Sequence, residues 1–146
     1  MTIVKPRDRL EGWQLRVAKI ITERTELLPP KFGRNDCFVM ASDVEAAMYG
    51  HSFWARYARS GYTTDVEAVR HVRTRFRKSS LRDVTDRIHR RIDGADIGLG
   101  DFAVAGLMHA LPVIYLWDGN VFRTVPNSDR FPAIMRRQNF LYFWRM

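Results

Sequence analysis

The chain has 146 residues, enough for one domain, and its 46% hydrophobic and 27% charged residues are near the averages of soluble globular proteins. Its single cysteine excludes an intrachain disulfide and a structural zinc site built from several cysteines. The 24 Lys and Arg against 16 Asp and Glu give a formal net charge of +8, which suits a polyanionic partner such as nucleic acid, an anionic cell envelope or an acidic protein.

The N-terminal sequence MTIVKPRDRL is charged and is interrupted by Pro6, so it does not match a secretory signal. No run of about 18 apolar residues occurs, and we therefore expect no membrane span. We expect one domain over residues 1–146 that folds in a reducing cytosol. We expect neither a cofactor nor a metal site.

Two helices are predicted in the first fifty residues. Apolar residues at helical spacing indicate the first helix over residues 8–28, where a Pro-Pro pair ends it. The second helix should begin at Cys37, because Asn35 or Asp36 can accept a free backbone N–H as an N-cap. Gly50 is the glycine expected after its C-terminus. The buried stripe of this helix, packed against a sheet, should consist of Cys37, Met40, Ala41, Val44, Ala47 and Met48.

Two further helices are predicted after an aromatic connection over residues 51–62. Thr64 and Glu67 form a capping box at the start of the third helix. Residues 80–83 resemble a second capping box, which starts the fourth helix, and Gly94 closes that helix. The residues expected to face inward are Val66, Val69, Val72 and Phe76 in the third helix and Leu81, Val84, Ile88 and Ile92 in the fourth.

After Gly94 the pattern changes from helices to short strands. Strands are predicted over residues 101–107, 111–117, 121–125 and 140–145, with a hairpin turn at 118–120 and a short helical turn over 131–137. The fold class is therefore α+β, with N-terminal helices packed on a small antiparallel sheet.

Cys37 is the residue on which a catalytic hypothesis depends. A helix N-terminus carries partial positive charge, which favours a thiolate and lowers the pKa of a cysteine in the first turn. Such a nucleophile needs a histidine as its base. His71 and His89 are predicted to face solvent, and His51 lies at the far end of the second helix. His109, just before the second strand, is therefore the candidate base; alternatively, it is an ordinary loop histidine and Cys37 a small buried hydrophobe.

Several short motifs occur in an order that resembles a known family. They are WQLR (residues 13–16), GRNDC (33–37), ASD (41–43), GD (100–101), VIYLWDG (113–119) and WR (144–145). This series resembles the papain-like cell-wall peptidases of the NlpC type. It resembles more closely a family of short phage and prophage proteins that are distantly related to those peptidases.

The resemblance implies a papain-like (NlpC-like) fold and a place in the tail tip or baseplate hub of a phage virion, built from proteins made in the bacterial host cytoplasm. It also implies cleavage of peptide cross-links in peptidoglycan during DNA delivery, with Cys37 as the nucleophile. The active peptidases have their histidine where this chain has Leu111, and His109 lies two residues earlier. We therefore expect a structural tail component that contacts other tail or baseplate proteins.

Two alternative functions are open at this point. The first is an active cysteine peptidase or amidase that cleaves peptidoglycan peptides through Cys37 and His109. The second is a basic nucleic-acid-binding module that uses the arginines of residues 70–78 and 87–91. Interleaved aspartates and the lack of a familiar recognition motif disfavour the nucleic-acid alternative.

Aromatic residues concentrate over residues 53–62 and 140–145. Tryptophan, tyrosine and arginine are enriched at protein interfaces. We therefore expect both segments to contact other tail proteins, with Arg136 and Arg137 at the rim. The alternative is that these aromatic side chains fill one core.

Overall fold

A computed structural model describes residues 8–58, 61–76, 81–106, 112–127 and 131–146. In these ranges the helices are α1 (Trp13–Thr22), α2 (Cys37–Tyr49), α3 (Asp65–Phe76) and α4 (Leu81–Ile88), and a π-helical turn, Glu23–Leu27, extends α1. The strands are β1 (Arg91–Ile92), β2 (Phe102–Ala105), β3 (Val113–Trp117), β4 (Phe122–Arg123), β5 (Ile134–Met135) and β6 (Phe143–Trp144). The predicted α+β class is confirmed.

The helices begin and end at signals that are local in sequence. α2 begins at Cys37 and ends at Gly50, whose φ of 84° is left-handed, as expected for a C-terminal glycine. α3 has the predicted cap in a slightly shifted form: Thr64 Oγ1 accepts the N–H of Glu67 at 3.2 Å, and the Glu67 carboxylate accepts the N–H of Thr63, one residue before the N-cap, at 3.0 Å. Among the described residues, no helix is both long enough and apolar enough to span a membrane.

Three details of the helix predictions were wrong. The first helix begins at Trp13 and not at residue 8. Val66 does not face inward but is 62% exposed in the first turn of α3. Ile92 is not helical, because it pairs with Phe143 in the sheet and forms part of β1. The second predicted capping box, residues 80–83, begins outside the described ranges.

The strands form one antiparallel sheet in the order β1-β6-β2-β3-β4-β5. The longest pair is β2 with β3, where Phe102 lies opposite Leu116 and Ala105 lies opposite Val113. The last strand, β6, lies between β1 and β2, so the end of the chain completes the middle of the sheet. Residues 107 and 111, predicted ends of two strands, lie outside the described ranges.

The predicted helical turn over residues 131–137 was misplaced, because the short 3-10 turn lies at Arg137–Asn139. Ile134 and Met135 instead form β5, which pairs with β4 at the far edge of the sheet. The N–H of Thr124 donates to the carbonyl of Ala133 at 2.9 Å, which leads the chain into this strand. A two-residue strand has no periodicity of its own, so only its pairing with β4 identifies it.

α2 packs across β3 and buries its predicted apolar stripe except for Ala47, which is partly exposed. Gly100, just before β2, lies against the same helix with a φ of +82°. A Cβ at this position would lie 2.4 Å from Met48 Cε, 3.4 Å from Val44 Cγ1 and 3.3 Å from Val17 Cγ1. Both α1 and α2 therefore approach the sheet backbone at a point where only glycine fits easily.

Four of the eight aromatic side chains in residues 53–62 and 140–145, which were expected at an interface, are buried in the core instead. Trp54 and Trp144 are fully buried, and Tyr62 and Phe143 are buried. β6 has a neighbouring strand on each side, and the indole N–H of Trp144 donates to Asp86 Oδ1 at 2.8 Å. An aromatic strand in this position is covered by the chain itself, so the single-core alternative holds for these four residues.

The prediction that His89 faces solvent was wrong. His89 and Glu45 are both fully buried, with His89 Nε2 lying 3.6 Å from Glu45 Oε2. His89 Nδ1 lies 3.2 Å from the carbonyl oxygen of Arg145, which can only accept, so Nδ1 carries a proton. The Trp54 ring stacks on the imidazole with centroids 5.7 Å apart.

The other carboxylate oxygen of Glu45 receives two hydrogen bonds. Glu45 Oε1 accepts from Ser52 Oγ at 2.9 Å and from the N–H of Phe53 at 2.6 Å. One buried carboxylate therefore links α2, the connection that follows it and, through His89, the C-terminal strand. Buried charge is tolerated here because it is paired and hydrogen-bonded.

We expect Glu45→Ala to lower the free energy of unfolding by about 3–5 kcal/mol, because it leaves a buried histidine and a buried backbone N–H without their carboxylate. Urea denaturation followed by circular dichroism measures this loss. The matched control is Glu26→Ala, which removes an exposed carboxylate paired with Arg123 at 2.9 Å and should cost less than about 1 kcal/mol. Equal losses for the two variants would contradict the assigned role of the buried pair.

Candidate functional site

The site is built around Asp36, the N-cap of α2. Its Oδ1 accepts the N–H of Val39 at 2.9 Å. Its Oδ2 accepts the N–H of Gly33 and the hydroxyl of Tyr62, each at 2.7 Å. Of the two N-cap candidates in the sequence, Asp36 is therefore the one used, and its buried charge lies directly before Cys37.

Asn35 closes the preceding loop. Its side-chain amide donates to the carbonyl oxygens of Arg24, Leu28 and Pro29 at 2.9, 3.2 and 3.2 Å. Arg24 lies in the last turn of the first helical segment, and Leu28 and Pro29 follow that turn, where the helix has no further N–H to offer these carbonyls. Asn35 thus holds the end of one helix while the adjacent residue caps the next.

Gly33 is required in this loop for a steric reason. Its φ is +81°, and a Cβ built on it would lie 2.1 Å from the carbonyl oxygen of Tyr62. The contact is with backbone, which cannot move aside as a flexible side chain can. The GRNDC motif at residues 33–37 therefore builds the loop that places Cys37 at the start of α2.

Cys37 is buried at 9% exposure. Burial and, second, the neighbouring Asp36 carboxylate raise the pKa of its thiol to about 12. This shift is opposite in sign to the one that a helix N-terminus favours, because loss of solvent outweighs the helix dipole. At neutral pH the residue is therefore a thiol and not a thiolate.

The cavity beside Cys37 has a volume of about 30 Å³. Its lining includes Tyr62, Pro112, Thr124 and Asn127. Thr124 Oγ1 donates to the carbonyl of Ile114 at 2.8 Å, so its hydrogen is engaged within the sheet. A water needs roughly 10–15 Å³ on this measure, so the cavity has room for no more than about two waters.

The candidate base, His109, lies outside the described residues, as does Leu111. Pro112, which follows them, forms part of the cavity wall. His51 is exposed just after the C-terminus of α2. Within the described ranges, no group of three or more His, Cys, Asp or Glu side chains is placed to hold a metal ion.

His71 is half-buried and not solvent-facing as predicted. Its ring stacks on Tyr62 with centroids 5.5 Å apart. Burial and, second, the charge of Arg75 lower its pKa. Through Tyr62, which donates to Asp36, this histidine supports the wall of the Cys37 site from α3.

Two other motif residues anchor the fold around the site. Asp43, on α2, accepts from Arg24 at 2.7 Å. Asp101, fully buried before β2, accepts the N–H of Gly98 at 2.9 Å and that of Met146 at 3.0 Å. Burial raises the pKa of Asp101, although these hydrogen bonds and Arg145 oppose the shift. The sequence contains no signal that pairs Asp101 with the last residue of the chain.

At pH 7 we expect iodoacetamide to alkylate Cys37 at least a hundredfold more slowly in the folded chain than in urea. A pKa of about 12 leaves about three orders of magnitude less thiolate than an unperturbed cysteine has near 8.5. The folded-state rate should rise with pH up to about 12. Intact-mass spectrometry over time measures both rates.

The contribution of Asp36 can be tested separately. Asp36→Asn keeps a capping oxygen but removes the charge, so alkylation of Cys37 in the folded chain should become faster. Asp43→Asn, on the same helix, is the control and should leave the rate unchanged. If Cys37 of the wild-type chain is alkylated at pH 7 as fast in the folded state as in urea, it is an activated thiolate. That result would overturn its assignment as a buried thiol.

Gly33→Ala should lower the free energy of unfolding by at least about 2 kcal/mol more than Gly119→Ala. Both glycines have left-handed φ, of +81° and +102°, so both variants carry the same type of backbone strain. Only Gly33 has a backbone atom in the way, whereas nothing lies within 4 Å of a Cβ at Gly119. Urea denaturation of the two variants isolates the steric contribution, and equal losses would refute it.

Comparison with known proteins supports a family assignment without a function. A family model described as a domain of unknown function, DUF6950, matches residues 8–145. No curated protein and no solved structure gave a significant match. The matched region includes the GRNDC loop, Cys37 and all six described strands. The chain therefore belongs to the DUF6950 family of domains of unknown function.

Proposed function

We propose that this protein is a structural component of a phage tail tip or baseplate hub, with a papain-like fold in which the cysteine is not a nucleophile. The proposal that Cys37 is not catalytic rests on the burial and protonation of its thiol. Its thiol is buried, its pKa is raised to about 12, and a buried carboxylate lies next to it. A cysteine nucleophile requires the opposite environment.

The order and packing of the elements support a papain-like fold. A helix that begins with the cysteine is followed in the chain by an antiparallel β2-β3-β4 meander, and it packs across β3. The motifs that resemble the NlpC type lie on the elements that this resemblance implies, with residues 33–37 leading into the start of α2 and residues 113–117 in β3.

The cavity beside Cys37 also favours a non-catalytic role. Ligand-binding pockets are usually about 300–1,000 Å³. The cavity here has about 30 Å³, so a peptide cross-link does not fit beside the sulfur in this conformation. The tail location itself is drawn from the resemblance to short phage proteins.

The test is to locate the chain in purified particles of the phage that encodes it. Mass spectrometry should detect it in the virion, and antibodies should label the tail tip in electron micrographs. A phage carrying Cys37→Ala should give infectious particles at wild-type yield, because the thiol has no chemical role. Absence of the chain from purified particles would refute the tail proposal.

A second candidate function is that of an active peptidoglycan peptidase or amidase. One observation favours it: the wall of the Cys37 cavity includes Pro112, which directly follows the segment that contains His109. In that case Cys37→Ala and His109→Ala should each abolish release of peptide fragments from purified peptidoglycan. Wild-type protein that releases none, with normal folding by circular dichroism, would remove this candidate.

A further inference from the structure

Glu45 and His89 form a buried pair that neither candidate function uses. Glu45 lies on α2 and His89 directly follows α4, and both side chains are almost completely buried. The pair joins distant parts of the chain, because His89 binds the carbonyl of Arg145 while Glu45 binds the connection after α2. Any change in its charge is therefore felt by α2 and by the C-terminal residues together.

The hydrogen-bond geometry of the imidazole calls for a proton between the two groups. A carbonyl oxygen only accepts, so His89 Nδ1 carries a hydrogen and donates it to Arg145 at 3.2 Å. In a neutral imidazole the other nitrogen, Nε2, is then an acceptor. It would face Glu45 Oε2, 3.6 Å away, which is also an acceptor when the carboxylate is ionised. Two acceptors repel each other strongly in a low-dielectric core, so we infer that the pair holds one further proton.

The surroundings place this proton on His89 rather than on Glu45. Glu45 Oε1 accepts from Ser52 Oγ at 2.9 Å and from the N–H of Phe53 at 2.6 Å, and such bonds stabilise a charged carboxylate. The Trp54 ring is stacked on the imidazole at an angle of 6°, with centroids 5.7 Å apart. A cation over the face of a tryptophan is attracted to the ring. Imidazolium and carboxylate thus offset the cost of each other's burial.

The other charged side chains described on α2, α4 and the segment after β6 are paired or exposed. The paired ones are Asp43 with Arg24, Asp86 with Arg91, and Arg145 with Asp101. Arg82 lies over the Tyr142 ring, and Asp83, Arg87 and Arg90 are exposed. Burial raises the pKa of Asp101 and lowers that of His71, so variants of Glu45 are needed to isolate the effect of the pair.

We propose that Glu45 and His89 form an imidazolium–carboxylate clasp that makes the attachment of the C-terminal residues to α2 dependent on pH. An unfolded histidine loses its proton near pH 6.5. His89 in the clasp keeps its proton to above about pH 8, because the adjacent carboxylate favours the charged form. Folding therefore takes up a proton above about pH 6.5. The stabilisation is fully present below about pH 6.5 and is lost as the pH rises until the folded chain releases this proton. The clasp does not depend on the proposed tail location.

NMR of the full chain with ¹⁵N-labelled histidines measures the protonation directly. Both ring nitrogens of His89 should carry hydrogen from about pH 6 to about pH 8 in the folded chain. The same chain in urea is the control, in which this ring should lose its second proton near pH 6.5. A neutral His89 ring in the folded chain at about pH 7.5 would overturn the proposal, whether the proton had left the pair or lay on Glu45.

Urea denaturation followed by circular dichroism tests the link to stability. From about pH 6.5 to about pH 8, the folding equilibrium constant of the wild type should fall at least about tenfold relative to that of Glu45→Gln. In this variant the side-chain amide can donate to a neutral Nε2, so no proton is needed. The titration of Cys37 is common to both chains and cancels.

Glu26→Gln is the matched control for this comparison. It removes an exposed carboxylate paired with Arg123, and its pH dependence should equal that of the wild type. Equal pH dependence of the wild type and Glu45→Gln would overturn the proposal. If Glu45→Gln does not fold, the NMR titration of the wild-type chain decides alone.

Discussion

The carboxylate of Asp36 caps α2, the helix that packs across the sheet. Its two oxygens receive three hydrogen bonds, from Val39, Gly33 and Tyr62, which join the start of α2, the loop before it and the segment that leads to α3. The same charge lies beside Cys37 and, after burial, is the second reason why its pKa is raised. One residue thus determines both the start of the central helix and the protonation state of the only thiol.

Polar groups elsewhere in the fold hold the C-terminal residues. Asp101 accepts the N–H of Met146, Asp86 accepts the indole N–H of Trp144, and His89 binds the carbonyl of Arg145. Each bond joins residues far apart in sequence. Because β6 lies between β1 and β2, the sheet is complete only when these last residues are in place. The WR motif at residues 144–145 has a structural role here, whatever function the domain serves.

Some of the arginines form ion pairs with carboxylates of the same chain. Arg24 pairs with Asp43 and Arg123 with Glu26, while Arg145 lies 3.3 Å from Asp101. The arginines that remain exposed include Arg70 and Arg73 on α3, and Arg90 next to the β1 edge. Net charge alone predicts an anionic partner but not its place.

The sequence by itself determined the features that depend on near neighbours. The start of α2 at Cys37, its end at Gly50 and the capping box of α3 were predictable because a cap and the N–H that it accepts lie within one turn. β2 and β3 were predictable as short apolar runs bounded by turns. The tertiary structure decided the two-residue strands β1 and β5, the burial of His89 against Glu45, and the place of β6 inside the sheet. It also reversed the expected pKa shift of Cys37. A helix N-terminus is visible in sequence, whereas the strand β3, which helps to cover the thiol and remove its solvent, lies more than seventy positions away.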